Sequence, residues 1–170
     1  MNDAKQMLRQ EFRREVVSLS LSDREYWDKK LSYNLLSFMA DKYTTFSSDD
    51  NFTLGGFYPL DDEANWLGSF AVWHNRLAFP LFDKSGMSFL KCSPKDLIEY
   101  NEFGRTFMVP SNDKKKIIPN VLIVPGLFFG IDGKRLGRGK GFYDKYLSTY
   151  EGVTVGVCYE TQLRTDVPVF

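Results

Sequence analysis

"NVLIVPGLFFGIDGKRLGRGKGFYDKYLSTYEGVTVGVCY", Asn120 to Tyr159, is the stretch whose reading decides the fold class. "NVLIVPG" is a continuous apolar run stopped by Pro125 and Gly126, the pattern of a strand buried on both faces. "LFFGIDGKRLGRGKG" reads as a long loop. "FYDKYLSTY" resumes helical spacing through Phe142, Tyr146 and Leu147, and "VTVGVCY" reads as a second buried strand. Strand, glycine loop, helix and strand make a βαβ unit. The expected class is therefore α/β, a mostly parallel sheet flanked by helices.

The rest of the chain fits around that unit. Met7, Leu8, Phe12 and Val16 recur at helical spacing, and Trp27, Leu31, Leu35, Phe38 and Met39 form the apolar face of a second helix. Ser22 with Glu25 has the pattern of a capping box at its start. "SSDDN", Ser47 to Asn51, is a loop, and "FTLGGFYPL", Phe52 to Leu60, reads as a strand ended by Pro59. "DDEANW" is a polar turn opening a helix through "ANWLGSFAVWHN". "RLAFPLF", "DKSG" and "MSFLKC" read as strand, tight turn and strand. "SPKDLIEY" carries Ser93 as cap and Pro94 at the first helical position. Asn101 to Lys116 reads as irregular, with Lys114 to Lys116 a solvated face. Without repeat or linker, residues 1–170 are expected to form one domain.

Composition excludes several function classes. Lysine plus arginine number 22 and aspartate plus glutamate 22, so there is no basic excess of the kind a nucleic-acid binder shows. No run of about 18 apolar residues suggests a membrane span, and no leader pattern opens the chain. Cys92 and Cys158 stand far apart and suggest neither a metal site nor a disulfide framework, as in a reducing, cytoplasmic setting. His74 is the sole histidine, which excludes a histidine-rich metal site, and nothing near it suggests a catalytic triad.

Function concentrates in Arg135 to Asp144. Glycines at 137, 139 and 141 alternate with Arg138 and Lys140, after Arg135. Glycine lets a backbone approach a phosphate closely, and ligands of open α/β sheets bind beyond the carboxyl ends of strands. Arginine grips phosphate oxygens in pairs, whereas lysine is a compact charge. Asp144, just inside the presumed helix, suits Mg²⁺, which takes one or two carboxylates alongside phosphate oxygens; a helix-start acid is the plainer role. The loop is not a P-loop, since Gly141 follows Lys140 and Lys134 replaces the first glycine. It is not a dinucleotide loop, since position 142 is Phe. The residues themselves thus read as a phosphate-binding loop, with a basic surface turn as the other possibility.

"LIVPGLFFGIDGKRLGRGKGFYDKYL" resembles the signature of the 5-formyltetrahydrofolate cyclo-ligases, or methenyltetrahydrofolate synthetases. "AKQMLR" resembles that family's amino-terminal element at Lys5, Leu8 and Arg9, and "YPLDDE" its folate-pocket segment. "LAFPLF" and "VGVCYETQL" match further strands. The resemblance implies a three-layer, NagB/RpiA/CoA-transferase-like fold and an ATP-driven, Mg²⁺-dependent ring closure of 5-formyltetrahydrofolate. It implies ATP contacts from Lys5, Arg9, Arg135, Leu136, Gly137, Arg138, Gly139, Lys140, Gly141, Phe142 and Tyr143, with Arg138 and Lys140 at the transferring phosphate and Asp144 on the metal. Phe57, Tyr58 and Tyr143 would wall the folate, and Glu63 would accept from the pterin. The expected enzyme is a monomer that binds 5-formyltetrahydrofolate and ATP, with neither nucleic acid nor membrane as partner.

Two departures stand beside the resemblance. Many relatives carry Glu-Pro where this chain has Val109-Pro110. Beyond "VPV" the family leads one to expect a polar segment with a metal-assisting Asp and another strand, which these residues do not include. A paralogue acting on another small molecule, or a folate- or nucleotide-binding protein without turnover, therefore stand as alternatives. An RNA-binding use of "GRGKGFY" is disfavoured by the charge balance.

Overall fold

The computed structural model describes residues 2–17, 19–43, 51–70, 73–84, 86–165 and 167. Most of "SSDDN" and of "VPV", together with 71–72 in the expected third helix and Ser85 in the "DKSG" turn, lie outside the described residues. Helices α1 (Asn2–Val17) and α2 (Leu21–Lys42) stand where the apolar spacing predicts them. The cap of α2 falls two residues earlier than expected: Ser20, in extended backbone, accepts from the Asp23 N–H through its side chain.

A six-stranded sheet forms the centre. Its members are β1 (Leu54–Gly55), β2 (Leu77–Asp83), β3 (Gly86–Lys91), β6 (Lys116–Ile117), β7 (Val121–Val124) and β10 (Val153–Gly156). The spatial order is β10-β7-β1-β2-β3-β6. The three pairings on the β10 side are parallel and the two on the β6 side antiparallel. The sheet is thus mainly parallel, as the βαβ reading expects, and β2–β3 is the expected hairpin. Val121 pairs with Val153 in the unit that set the fold class.

Alternation along the strands builds two layers of core. Leu77 and Phe79 of β2 face the same way as Val121 and Ile123 of β7, and join Leu35 and Met39 of α2 with Trp66 and Phe70. Ala78 and the β7 residues Leu122 and Val124 face the other way. There they meet Phe89 and, in α3 (Phe142–Leu147) and just beyond it, Tyr143, Tyr146, Leu147 and Tyr150. A separate cluster joins Phe12 and Leu8 of α1 to Leu127, Phe128 and Leu136.

Five expectations are corrected. Of "FTLGGFYPL" only Leu54–Gly55 pairs; Gly56 packs so closely on Trp66 that a Cβ there would lie 2.3 Å from its ring, and the chain then leaves the sheet. The helix through "ANWLGSFAVWHN" is a single 3-10 turn, Leu67–Ser69, among the described residues. "SPKDLIEY" makes one 3-10 turn, Pro94–Asp96, before its β-branched and aromatic residues enter β4 (Ile98–Glu102). The region read as irregular holds β5 (Arg105–Val109), which pairs antiparallel with β4 through Phe103 and Gly104. Both turn residues have positive φ, 54° and 71°, as a two-residue hairpin turn requires. Finally, β10 is an edge strand with Val153, Thr154 and Gly156 exposed, because among the described residues it pairs on one side alone.

The long loop after β7 is also more ordered than its glycines suggest. It contains β8 (Phe128–Gly130) and β9 (Arg135–Leu136), an antiparallel pair joined by β11 (Leu163–Arg164) in a three-stranded sheet. That small sheet carries the buried face of α1.

Candidate active site

The glycine stretch emerges from β9 and runs to α3 across the carboxyl end of β7. Gly139 and Gly141 have φ of 93° and 76°, which side chains rarely adopt. At Gly139 a Cβ would also lie 2.9 Å from Arg9 Nη2, the mobile end of the α1 side chain that reaches the loop. Arg9 Nε donates to the Gly137 carbonyl at 3.4 Å. Behind the loop, buried Gln162 acts as a clamp. Its Nε2 donates to the carbonyls of Gly126 and Leu127 at 3.2 and 2.9 Å, and its Oε1 accepts from the Tyr159 N–H at 2.8 Å.

An open cleft lies in front, with about 950 Å³ of empty space including solvent at its mouth. Phe57, Tyr58 and Glu63 line one side, and Arg135 with Gly137 through Asp144 line another. The folate-wall and ATP-loop residues read from the sequence therefore share one cavity. Leu136 does not reach it and is buried beneath α1. Arg9 touches the loop, and Lys5 lies one turn before it on the same helix.

The charges are paired across the cleft. Arg138 Nε donates to Glu63 Oε1 at 3.1 Å, while Nη1 and Nη2 donate to the two Asp62 oxygens at 3.1 and 2.6 Å. Arg105, just past the hairpin turn, donates to the same two oxygens at 3.1 and 3.0 Å. Burial pushes the Asp62 acidity towards the neutral form. The hydrogen bonds and charges of Arg138 and Arg105 outweigh that and hold its carboxyl below its ordinary range. At Glu63 burial wins: the carboxyl is raised despite Arg138 and the Leu60 N–H. Arg135 donates to Asp144 and, at 3.0 Å, to the Pro125 carbonyl. Lys140 Nζ sits 3.8 Å from the centre of the Phe103 ring.

Sequence reading missed Asp62 and Arg105, and with them the aromatic wall of Phe82, Phe103 and Phe107. Phe142 packs against Phe82 at 5.0 Å and Phe103 at 6.5 Å between ring centres. The alternation in Ile98–Val109 was the available signal. Tyr143 lines the cleft, yet its hydroxyl is buried without a hydrogen-bond partner among the described residues, and Arg135 lies over its ring at 5.6 Å.

A divalent ion fits here in one way. No group of three or more His, Cys, Asp or Glu suited to a metal occurs among the described residues. Asp144, with most of its carboxylate exposed, offers a single protein ligand of the kind Mg²⁺ combines with phosphate oxygens. The donor set thus suits an ion that arrives with a polyphosphate.

A glycine loop bearing cations, set against an aromatic wall bearing acids at the carboxyl end of a parallel sheet, defines a small-molecule site of the α/β class. Residues 74–169 match the 5-formyltetrahydrofolate cyclo-ligase family, and the chain belongs to that family. It is 30% identical over 94 residues to a 5-formyltetrahydrofolate cyclo-ligase of Haemophilus influenzae, 51% of this chain and 49% of that protein. Identity to the corresponding Mycoplasma genitalium protein is 26% over 145 residues, 82% and 75% of the two chains. The chain thus spans about half the length of the first relative and three quarters of the second. The solved structure of Aquifex aeolicus 5,10-methenyltetrahydrofolate synthetase superposes with a TM-score of 0.77 at 25% identity, covering 98% of this chain and 83% of that one. No helix among the described residues is long and apolar enough to cross a membrane.

Proposed function

We propose that the protein catalyses the ATP-dependent cyclisation of 5-formyltetrahydrofolate to 5,10-methenyltetrahydrofolate, releasing ADP and phosphate. The observation that carries this reading is the shared cleft: the cation-bearing glycine loop and the Glu63-bearing aromatic wall face each other, joined by Arg138. The same reading takes the fold as the three-layer NagB/RpiA/CoA-transferase-like arrangement.

In this reaction the formyl oxygen attacks the γ-phosphorus of ATP, the bond to the bridging oxygen breaks, and ADP leaves. The product is an imidate phosphate, in which a poor leaving group has become a good one. The anilino nitrogen then attacks the formyl carbon, loses its proton, and phosphate departs. Phosphoryl transfer of this kind needs positioning and charge neutralisation more than a protein nucleophile. Lys140, exposed at the loop's apex, is suited to the transferring phosphate, with Arg138 beside it and Lys5 and Arg9 on the flanking phosphates. Asp144 would hold the nucleotide-borne Mg²⁺, which supplies charge neutralisation. Phe57, Tyr58 and Tyr143 would wall the pterin, with Glu63 accepting from its N–H groups.

The test is incubation with ATP, Mg²⁺ and 5-formyltetrahydrofolate while the ultraviolet absorbance of the methenyl product is followed. ATP-dependent product supports the reading, and folate binding without product refutes it. Lys140→Met should abolish turnover with both substrates saturating; unchanged turnover would remove Lys140 from the transferring phosphate. A second reading, a relative acting on another small molecule, is favoured by Val109, which sits buried where the family pattern has Glu.

A further inference from the structure

The charge cluster at the cleft mouth is larger than one ion pair requires. Asp62 accepts four hydrogen bonds from two guanidinium forks, and each of its oxygens receives one from each fork. Arg138 comes from the glycine loop and Arg105 from the hairpin on the other side. Arg138 has all three of its nitrogens on carboxylates, since Nε meets Glu63. To bring its whole fork onto an anionic ligand it must give some of these up.

That exchange is costly where the carboxylates are poorly hydrated. Asp62 is 21% exposed and Glu63 11%. A carboxylate stripped of its partner in such a place keeps its desolvation penalty without compensation, which would hold Arg138 back. Arg105 changes the balance, because its fork stays on both Asp62 oxygens when Arg138 turns away.

We infer that Arg105 is a positioning residue of the cleft: by holding Asp62 from the hairpin side, it frees Arg138 to turn from the carboxylates to a bound polyphosphate. This rests on the reading that the cleft takes ATP. The build of the hairpin agrees. β4 and β5 form a sheet of their own, so pairing with the central sheet does not set the position of its tip. The tip is fixed instead by Arg105 on Asp62 and by Phe103 against Lys140 and Phe142. Phe103 keeps a left-handed backbone that disfavours its own side chain, with Arg105 two residues beyond it.

The experiment has a ligand-free arm and a ligand arm. In the first, urea unfolding compares Arg105→Gln, Arg138→Gln and the double variant. Arg105→Gln should be tolerated because the Arg138 fork remains on Asp62, Arg138→Gln should cost more because Glu63 loses its arginine partner, and the double change should lower the midpoint by more than the sum. Additive shifts overturn the inference, with or without any ligand. In the second arm calorimetry measures ATP with Mg²⁺. Arg105→Gln should bind about tenfold more weakly, because the population with Arg138 released shrinks by that factor. Arg105→Lys should recover part of the loss, and in an Asp62→Asn background Arg105→Gln should cost nothing further. Unchanged binding in Arg105→Gln overturns the inference, as does equal weakening in both backgrounds, which would mean that Arg105 touches the ligand. Failure of the unsubstituted chain to bind ATP would sink the proposed function, while the unfolding cycle still decides whether the two forks stand in for one another.

Discussion

Replacing Tyr143 with phenylalanine removes one oxygen and nothing else. That oxygen is buried without a partner among the described residues. Burial pushes the phenol far above its ordinary range and the charge of Glu63 adds to the shift, so the group is a neutral donor. The ring itself is committed, with the Ala78, Phe89, Leu122 and Val124 cluster against it and Arg135 over it. A buried hydroxyl without a partner costs about 1–3 kcal/mol. Removing it returns most of that, less a small packing loss. Tyr143→Phe should therefore stabilise the ligand-free protein by about 1 kcal/mol, a rise in Tm of roughly 2–4 °C for a domain of this size. Urea and thermal unfolding without ligand measure it. A loss of about 1 kcal/mol or more would refute the reasoning, because the hydroxyl would then have a partner in solution.

The same variant addresses the site. If the hydroxyl waits for a polar atom of the folate, one hydrogen bond is lost on binding, about 1 kcal/mol or somewhat more. That is up to about tenfold in Kd for 5-formyltetrahydrofolate. A protein that is more stable and binds more weakly is the expected pairing. Greater stability with undiminished binding would leave the hydroxyl no role toward the ligand.

Gln162→Ala strands two carbonyls and one N–H behind the loop, and should cost about 2–4 kcal/mol in urea unfolding; a loss below about 1 kcal/mol would mean that the clamp is replaced by water. Phe103→Asn relieves the left-handed strain but gives up the contact with Lys140, so stability should stay within about 1 kcal/mol of the original, and a larger fall would show that the tip is held more firmly than its exposure suggests. Glu63 holds its proton more tightly folded than unfolded, so its contribution falls as pH rises from its ordinary 4.5 through the raised value. Asp62 contributes oppositely: its stabilisation is present above its ordinary 3.8 and is lost as pH falls through the lowered value. Urea midpoints across this range should show both limbs, and Glu63→Gln should remove the decline on the alkaline side alone. Its persistence would assign it to another group.

What could be read from the sequence follows physical range. The β7 run, the hairpin β2–β3 and the first two helices rest on local periodicity, and all appear. The strand read from "FTLGGFYPL" shrinks to two residues because Gly56 lies flat on Trp66, a contact ten residues away that no local pattern reveals. The loop glycines and their cations stand out because positive φ and close approach leave a compositional trace. Asp62 left none: in "DDE" it looks like a solvated acid, and its partners lie 43 and 76 residues away. The aromatic wall was hidden for a related reason. Phe103 and Phe107 reach the cleft only because β4 and β5 pair, and the helix-like start of "SPKDLIEY" masks that strand.

The paired state of the loop also bears on how such a site chooses its ligand. The stretch that looks most basic in sequence is locally compensated once folded: Arg138 lies on Asp62 and Glu63, Arg135 on Asp144, and Lys140 over Phe103. Binding an anion here is an exchange of partners, and affinity is the difference between two sets of contacts. A lone carboxylate offers two oxygens, too few to replace both the Asp62 fork and the Glu63 bond. A polyphosphate offers several at once and can satisfy Arg138, Lys140 and the α1 cations together. On the proposed polyphosphate reading, discrimination against carboxylates would come from the acids that must be displaced, Asp62 and Glu63.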